Sequence, residues 1–350
     1  MNLFRPQIER MDGYTPGEQP QAGKFIKLNT NENPYPPSPA VAAAITRAAE
    51  SGLQRYPDPL ATAFRLRAGE VLGVDPDWIL CGNGSDDILT ILTRSLVGEG
   101  QWLRFPSPSY LLYQTLADLQ GARAEQVSFS ADWRLTESFY RGHDALRLVL
   151  VPNPNSPSGT VVDTDAILEL AQRVDCPVLV DEAYVDFAEA SCLHLVRQDA
   201  RIMVCRTLSK SYGLAGLRFG FLVAQPVMIE ALRKVKDSYN CDALSIAGAT
   251  AAIDDQAWFT DNRRKILTTR AHLADELRRL GYQVADSSAN FVWCYRHDLS
   301  LEQIYRRLKE QRVLIRYMNY VGWGEGLRIS VGTDEQISVC LQLLADAASD

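Results

Sequence analysis

Short apolar runs alternate with amphipathic stretches through the middle of the chain. QWLRF (101–105), RLVLV (147–151), PVLVD (177–181), RIMVC (201–205) and LRFGFLVA (217–224) are too short for helices and predict strands. Between them, 85–97, 109–120 and 164–174 predict helices. Strands without polar alternation, separated by helices, imply a mostly parallel sheet covered on both faces, an α/β fold. Upstream, Ser38 can cap a helix that opens on Pro39 and runs through Ala-rich 40–50 to Gly52. Downstream, Ile266, Leu267, Leu273, Leu277 and Leu280 mark a long helix over about 258–280, closed by Gly281. Strands near 289–295, 312–317 and 326–331 and helices at 300–311 and 333–348 complete a smaller α+β unit. Residues 1–37, rich in Gly and Pro, read as an arm. The expected organisation is an arm over 1–24, a large domain over 49–257, and a small domain built from 25–48 and 258–350, with the long helix as hinge.

Composition narrows the class. Over 350 residues the chain is 46% hydrophobic and 23% charged, which suits a globular protein of about two domains. The net charge of −7 and the lack of a long basic run argue against nucleic acid or acidic membranes as partners. No run of about 18 uncharged apolar residues predicts a spanning helix. MNLFRPQIERMDGY lacks the apolar core of a signal peptide. Seven widely spaced cysteines without CxxC, and four scattered histidines, give neither a disulfide framework nor a metal site. The expected location is the cytoplasm.

Candidate chemistry lies after the strands, where open α/β sheets bind ligands. PNPNSPSGT follows 147–151, DEAY follows 177–180, and RTLSKSYGLAGLR follows 201–205. Asp181 ends an apolar run, so its carboxylate is expected to be at least partly buried and to need a cation or hydrogen-bond donors; a helix cap or structural ion pair would also satisfy it. Tyr184 can face the same place. Lys210 follows a strand among small residues. A lysine in a partly apolar pocket more readily loses its proton and can then form a Schiff base. Ser209 and Arg218 suit a phosphate. Gly82 and Gly84 lead into the helix at Ser85, whose free N–H groups also suit an anion; as a dinucleotide fingerprint the stretch is incomplete, with Asp87 at the third glycine position. Schiff-base lysine, acid, phenol and phosphate donors together describe pyridoxal 5′-phosphate.

The motifs DGYTPGEQP, LNTNENPYP, RYPD, GNGSDD, PSY, PNPNSPSG, DEAY, TLSKSYGLAGLRFG and LRISVGT occur in this order almost end to end. In them the chain resembles the fold-type I pyridoxal-phosphate-dependent aminotransferases, and within these the histidinol-phosphate branch. The resemblance implies that Lys210 carries the cofactor, Asp181 keeps its ring nitrogen protonated, Tyr184 bonds its phenolic oxygen and Tyr110 stacks on its face. Ser209, Arg218 and the amides around Gly84, Ser85 and Asp86 would hold the phosphate, joined by Tyr56 of a second subunit in a homodimer with shared sites. Arg316 and Arg328, twelve residues apart, would clamp anionic small-molecule substrates, with Tyr14 and Asn33 contributing to the substrate site. One departure stands out. The family's usual NPTG reads SPSG here, so Ser156 occupies the place of a cofactor-contacting asparagine, and Asn155 is the candidate substitute.

The implied activity is ping-pong transamination between L-glutamate and imidazole acetol phosphate, giving L-histidinol phosphate in histidine biosynthesis. Aromatic-amino-acid aminotransferases and threonine-phosphate decarboxylases share most of these motifs and remain alternatives. A non-catalytic sensor of the same fold is a remoter one, disfavoured by the lack of a basic helix or of room before residue 40 for a DNA-binding module.

Overall fold

The structure is a computed structural model and describes residues 3–13, 17–20 and 23–349. In chain order the strands are β1 (Ile26–Lys27), β2 (Ile79–Gly82), β3 (Trp102–Ser107), β4 (Arg123–Ser128), β5 (Leu146–Pro152), β6 (Val178–Asp181) and β7 (Ile202–Thr207). They continue as β8 (Gly220–Val223), β9 (Gln283–Val284), β10 (Phe291–Tyr295), β11 (Val313–Leu314), β12 (Arg316–Tyr320) and β13 (Gly324–Ser330). The helices are α1 (Pro6–Arg10), α2 (Pro39–Glu50), α3 (Thr62–Leu72), α4 (Ser85–Leu96), α5 (Leu112–Gln120) and α6 (Thr164–Arg173). After them come α7 (Pro226–Arg233), α8 (Ala243–Asp254), α9 (Gln256–Arg279), α10 (Leu301–Glu310) and α11 (Asp334–Ser349).

Seven strands form the large sheet in the order β2-β8-β7-β6-β5-β3-β4. Neighbours from β7 to β4 run parallel, and β8 is antiparallel to both β7 and β2. Successive residues feed opposite faces. Val178, Val180, Ile202 and Val204 enter one core; Leu179, Met203 and Cys205 enter the other. This double burial is why the strands read as continuous apolar runs. All seven cysteines are buried and free, packing as small apolar groups.

Several boundaries shift for local reasons. The strand expected at 217 starts at Gly220, because Arg218 adopts a left-handed backbone (φ 52°) that interrupts extension. The helix expected at 109 starts at Leu112, leaving Ser109 and Tyr110 in the turn after β3. Ser38 caps α2 as anticipated, its side chain accepting from the Ala40 amide. The domain assignment of α2 needs correction. Val41 belongs to the same core as Ala249 and Ala252 of α8, so α2 packs on the large unit. Only the segment around β1 joins the small unit: β1 pairs with β11, and Leu28 enters that core. The four-stranded sheet β12-β13-β10-β9 carries α10 and α11. Ile266 of α9 packs with Phe187 and Val331 between the units, while Leu273 and Leu277 enter the small core.

A buried ion pair lies behind the β6 and β7 ends. Glu182, with no side-chain exposure, meets Arg206 at 2.9 Å and also accepts from Ser191 Oγ and the Cys192 amide. Removing Glu182 leaves the buried Arg206 with the more distant Asp186 carboxylate, 3.9 Å away. Glu182→Ala is therefore expected to cost about 3–5 kcal/mol of unfolding free energy, measured by urea denaturation.

Candidate active site

The carboxyl ends of β5, β6 and β7 open into a cavity of about 260 Å³. Its wall contains Ser85, Asp86, Tyr110, Asp181, Tyr184, Ser209, Lys210 and Arg218 from the large unit and Arg316 and Arg328 from the small one. The sequence therefore identified groups that the fold brings together. Asn29, Thr30 and Asn31 form a further part of the wall, and Gly17 and Gln19 of the arm reach it.

One corner is built for an anion. The first-turn N–H groups of α4 have no intrahelical acceptors. Gly84 precedes them with φ 85°, and a Cβ there would stand 2.6 Å from an Arg218 guanidinium nitrogen. At Gly220 a Cβ would lie 2.6 Å from the Ser85 amide nitrogen and 2.7 Å from the Gly84 carbonyl carbon. Glycine at both positions lets Arg218 and β8 close on the helix start. Arg218 donates to Ser209 Oγ at 3.4 Å and to Asp86 Oδ2 at 3.3 Å. Asp86 also accepts from the Tyr110 hydroxyl at 3.3 Å. Its carboxylate thus holds Arg218 and Tyr110, leaving its backbone amide as the group suited to an anion. Thr207, which the sequence did not single out, supports Ser209 through a 3.0 Å hydroxyl contact.

Asp181 is 6% exposed. Tyr113 donates to Oδ2 at 2.8 Å and the Ala183 amide to Oδ1 at 3.2 Å. Burial pushes its pKa up to about 6; the two hydrogen bonds pull the other way, while the Asp86 and Glu182 carboxylates add to the rise. No lysine or arginine among the described residues pairs with it, so a cationic ligand atom would be stabilised there. Tyr113 was missed in the sequence: a buried tyrosine on an apolar helix face carries no local sign of a polar partner on another element.

Lys210 Nζ donates to the Thr30 carbonyl at 3.3 Å and lies 5.7 Å from the centre of the Tyr184 ring. Tyr184 packs edge-on against Phe291 and accepts at its hydroxyl from Asn31 Nδ2 at 2.9 Å. Arg316 and Arg328 are cross-strand partners in the β12–β13 ladder, which puts both guanidinium groups on one face. Arg328 donates to Ser156 Oγ and to the Asn29 carbonyl, each at 2.9 Å.

Two expected residues stand elsewhere. Asn155 is outside the cavity wall; its Nδ2 donates to the Pro108 carbonyl and Ser158 Oγ. Ser156, held by Arg328, reaches the cavity from that loop, as does Pro154. Asn33 also lies off the wall, donating to the Ser211 carbonyl and so bracing the loop that carries Lys210. Asn29 and Asn31 take the places on the wall that Asn33 was expected to fill. Tyr56 is 80% exposed and stacks on Tyr239 at 4.4 Å, away from this chain's cavity. Tyr14 falls outside the described residues.

Residues 23–344 match the family described as aminotransferase class I and II. The chain belongs to this family. An aminotransferase of this family thus has its strand-end lysine, buried aspartate and anion corner in one cavity. It is 57% identical to a histidinol-phosphate aminotransferase of Rhodopirellula baltica, over 98% of this chain and 95% of the relative. It is 44% identical to a histidinol-phosphate aminotransferase of Trichormus variabilis, over 99% of each. In fold it is similar to the crystal structure of histidinol-phosphate aminotransferase from Sinorhizobium meliloti in complex with pyridoxal-5′-phosphate (TM-score 0.90, 24% identity, 100% and 98% of the two chains).

The Asp181 pKa has a consequence for the ligand-free aminotransferase. With a folded value near 6 against an ordinary 3.8, the folded state binds the extra proton between those pH values. The carboxyl's contribution to stability is therefore fully present below about 3.8 and is lost as pH rises through about 6. Asp181→Asn removes this loss. Relative to wild type, the variant should gain on the order of 3 kcal/mol across that window and hold the gain above it, as read from urea titrations at several pH values.

Proposed function

We propose that this aminotransferase uses pyridoxal 5′-phosphate to exchange the amino group between L-glutamate and imidazole acetol phosphate, forming 2-oxoglutarate and L-histidinol phosphate in histidine biosynthesis. The observation that carries the reading is the cavity itself. An anion corner, a buried carboxylate with no cation partner among the described residues and a lysine amine converge there, with a pair of arginines in the same wall. The similarity to histidinol-phosphate aminotransferases along almost the whole chain supports the substrate choice.

The residues fit the cofactor. The α4 amides, Ser209 and Arg218 would hold its phosphate, and Asp181 would hold a proton at its ring nitrogen. Tyr184 would donate to its phenolic oxygen, and Tyr110 is placed to cover its ring. When bound, the cofactor supplies a reactive carbonyl carbon conjugated to an electron-withdrawing ring.

Lys210 Nζ, once neutral, is the base that takes the proton from the amino-bearing carbon of the substrate. Arg316 and Arg328 orient that carbon by binding an anionic end, a carboxylate of glutamate or the phosphate of the other substrate; both present forked oxygens to a guanidinium. One arginine pair serves both substrates, so the first keto product leaves before the second substrate enters, giving ping-pong order. Tyr56 is exposed in the single chain and would complete the phosphate site of a second copy. A homodimer with shared sites, working in the cytoplasm, is part of this proposal.

A panel of L-histidinol phosphate, L-phenylalanine and L-threonine phosphate, each with 2-oxoglutarate, tests the substrate. Histidinol phosphate should give the highest kcat/KM by at least about tenfold, a difference of ~1.4 kcal/mol in transition-state binding. Faster turnover of phenylalanine, or carbon dioxide release from threonine phosphate, would reassign the enzyme within its family. Lys210→Ala should lower turnover by about 10³-fold or more. It should still take up pyridoxal phosphate, seen as visible absorbance that survives desalting, because the anion corner and Asp181 remain.

A further inference from the structure

Asn31 is 1% exposed and bridges the two units. Its backbone has φ 55°, a left-handed conformation that asparagine tolerates better than most residues. The neighbouring hydrogen bonds fix which way its side-chain amide points. Ser330 Oγ accepts from the Asn31 backbone N–H at 2.8 Å, so its own proton is free to donate to Asn31 Oδ1, 3.0 Å away. With Oδ1 committed to Ser330, Nδ2 faces the Tyr184 hydroxyl at 2.9 Å. The Asn31 carbonyl accepts from Asn290 Nδ2 at 3.0 Å, which anchors the same residue to the small unit a second time.

An amide NH₂ only donates. The Tyr184 oxygen is therefore the acceptor, and its single O–H proton must point elsewhere. Among the described residues that proton has no acceptor, and Tyr184 lines the cavity. Ser156, the other side chain with a claim on this region, is held by Arg328, and Asn155 is turned toward Pro108.

We propose that Asn31 is the positioning residue for Tyr184: by donating to the phenol from behind, it turns the phenol's proton into the cavity, toward the phenolic oxygen of the cofactor. The inference rests on the cofactor assignment made above. It also ties cofactor recognition to the small unit, since Ser330 and Asn290 set the amide that sets the phenol.

Asn31→Asp tests the direction of the bond. The aspartate has the same shape, suits the same backbone region and keeps both contacts to Ser330, but a carboxylate only accepts. It draws the Tyr184 proton away from the cavity. Pyridoxal phosphate affinity, from fluorescence quenching, should fall by about tenfold, the worth of roughly one hydrogen bond, and the visible absorbance maximum of the loaded protein should move. In a Tyr184→Phe background the same substitution should change neither quantity, because no phenol proton remains to redirect. Asn31→Gly, which permits the left-handed backbone and removes the donor, should give a smaller change in the same direction, and it serves if the aspartate variant does not fold. Equal effects with and without the Tyr184→Phe change, or wild-type affinity and spectrum in both Asn31 variants, overturn the proposal. Wild-type protein that takes up no pyridoxal phosphate would instead overturn the cofactor assignment on which it rests.

Discussion

A carboxylate buried at the end of the central strand is the constraint around which the site is arranged. β6 has neighbours on both sides and is covered on both faces, so Asp181 is almost wholly buried even though it lines the cavity. A charge in such a place is costly unless paired. Among the described residues a phenol from α5 and one backbone amide bond it, and neither is a cation. The raised pKa of Asp181 is the result, and a cationic ligand atom would offset the same cost. The same reasoning extends along the sheet edge. The strand flanks are apolar, so polar groups gather at the carboxyl ends, where backbone direction and the βα connections leave a crevice.

The anion corner depends on close backbone approach more than on charge. Arg218 reaches Asp86 and Ser209 because its own backbone is left-handed and because Gly84 has no side chain to fend it off. Gly220 lets β8 pass against the first turn of α4. A side chain at either glycine would separate the arginine from the helix amides, and the two anion-binding elements would no longer address one ligand. The acidic pair Asp86 and Asp87 is compatible with this. Asp86 is engaged by Arg218 and Tyr110, and Asp87 accepts from Asn83 N–H and Asn240.

The small unit contributes two arginines to the cavity wall through register. Arg316 and Arg328 are opposite one another because β12 and β13 form a tight hairpin, and Arg328 is further tied to Ser156 of the large unit. The segment from Leu28 to Asn31 is the other link. Ser330 N–H donates to the Leu28 carbonyl, and Asn31 spans Ser330, Asn290 and Tyr184. A change in the relative placement of the units would therefore act on the phenol and the arginine clamp together.

The sequence by itself determined the layered α/β core, since continuous apolar runs are what doubly buried strands require. It also determined which polar groups lie at the strand ends, since Asp181, Lys210 and Arg218 each sit beside a run that positions them. What only the tertiary structure decided were the pairings between residues distant in the chain: Tyr113 with Asp181, Asn31 with Tyr184, Arg328 with Ser156. It also decided that Asn155 and Asn33 turn away from the cavity, and that α2 packs on the large core. The physical reason is the same in each case. Periodicity tells which face of an element is buried, but not against which other element. A polar side chain's role is set by the partner that reaches it, and that partner comes from elsewhere in the fold.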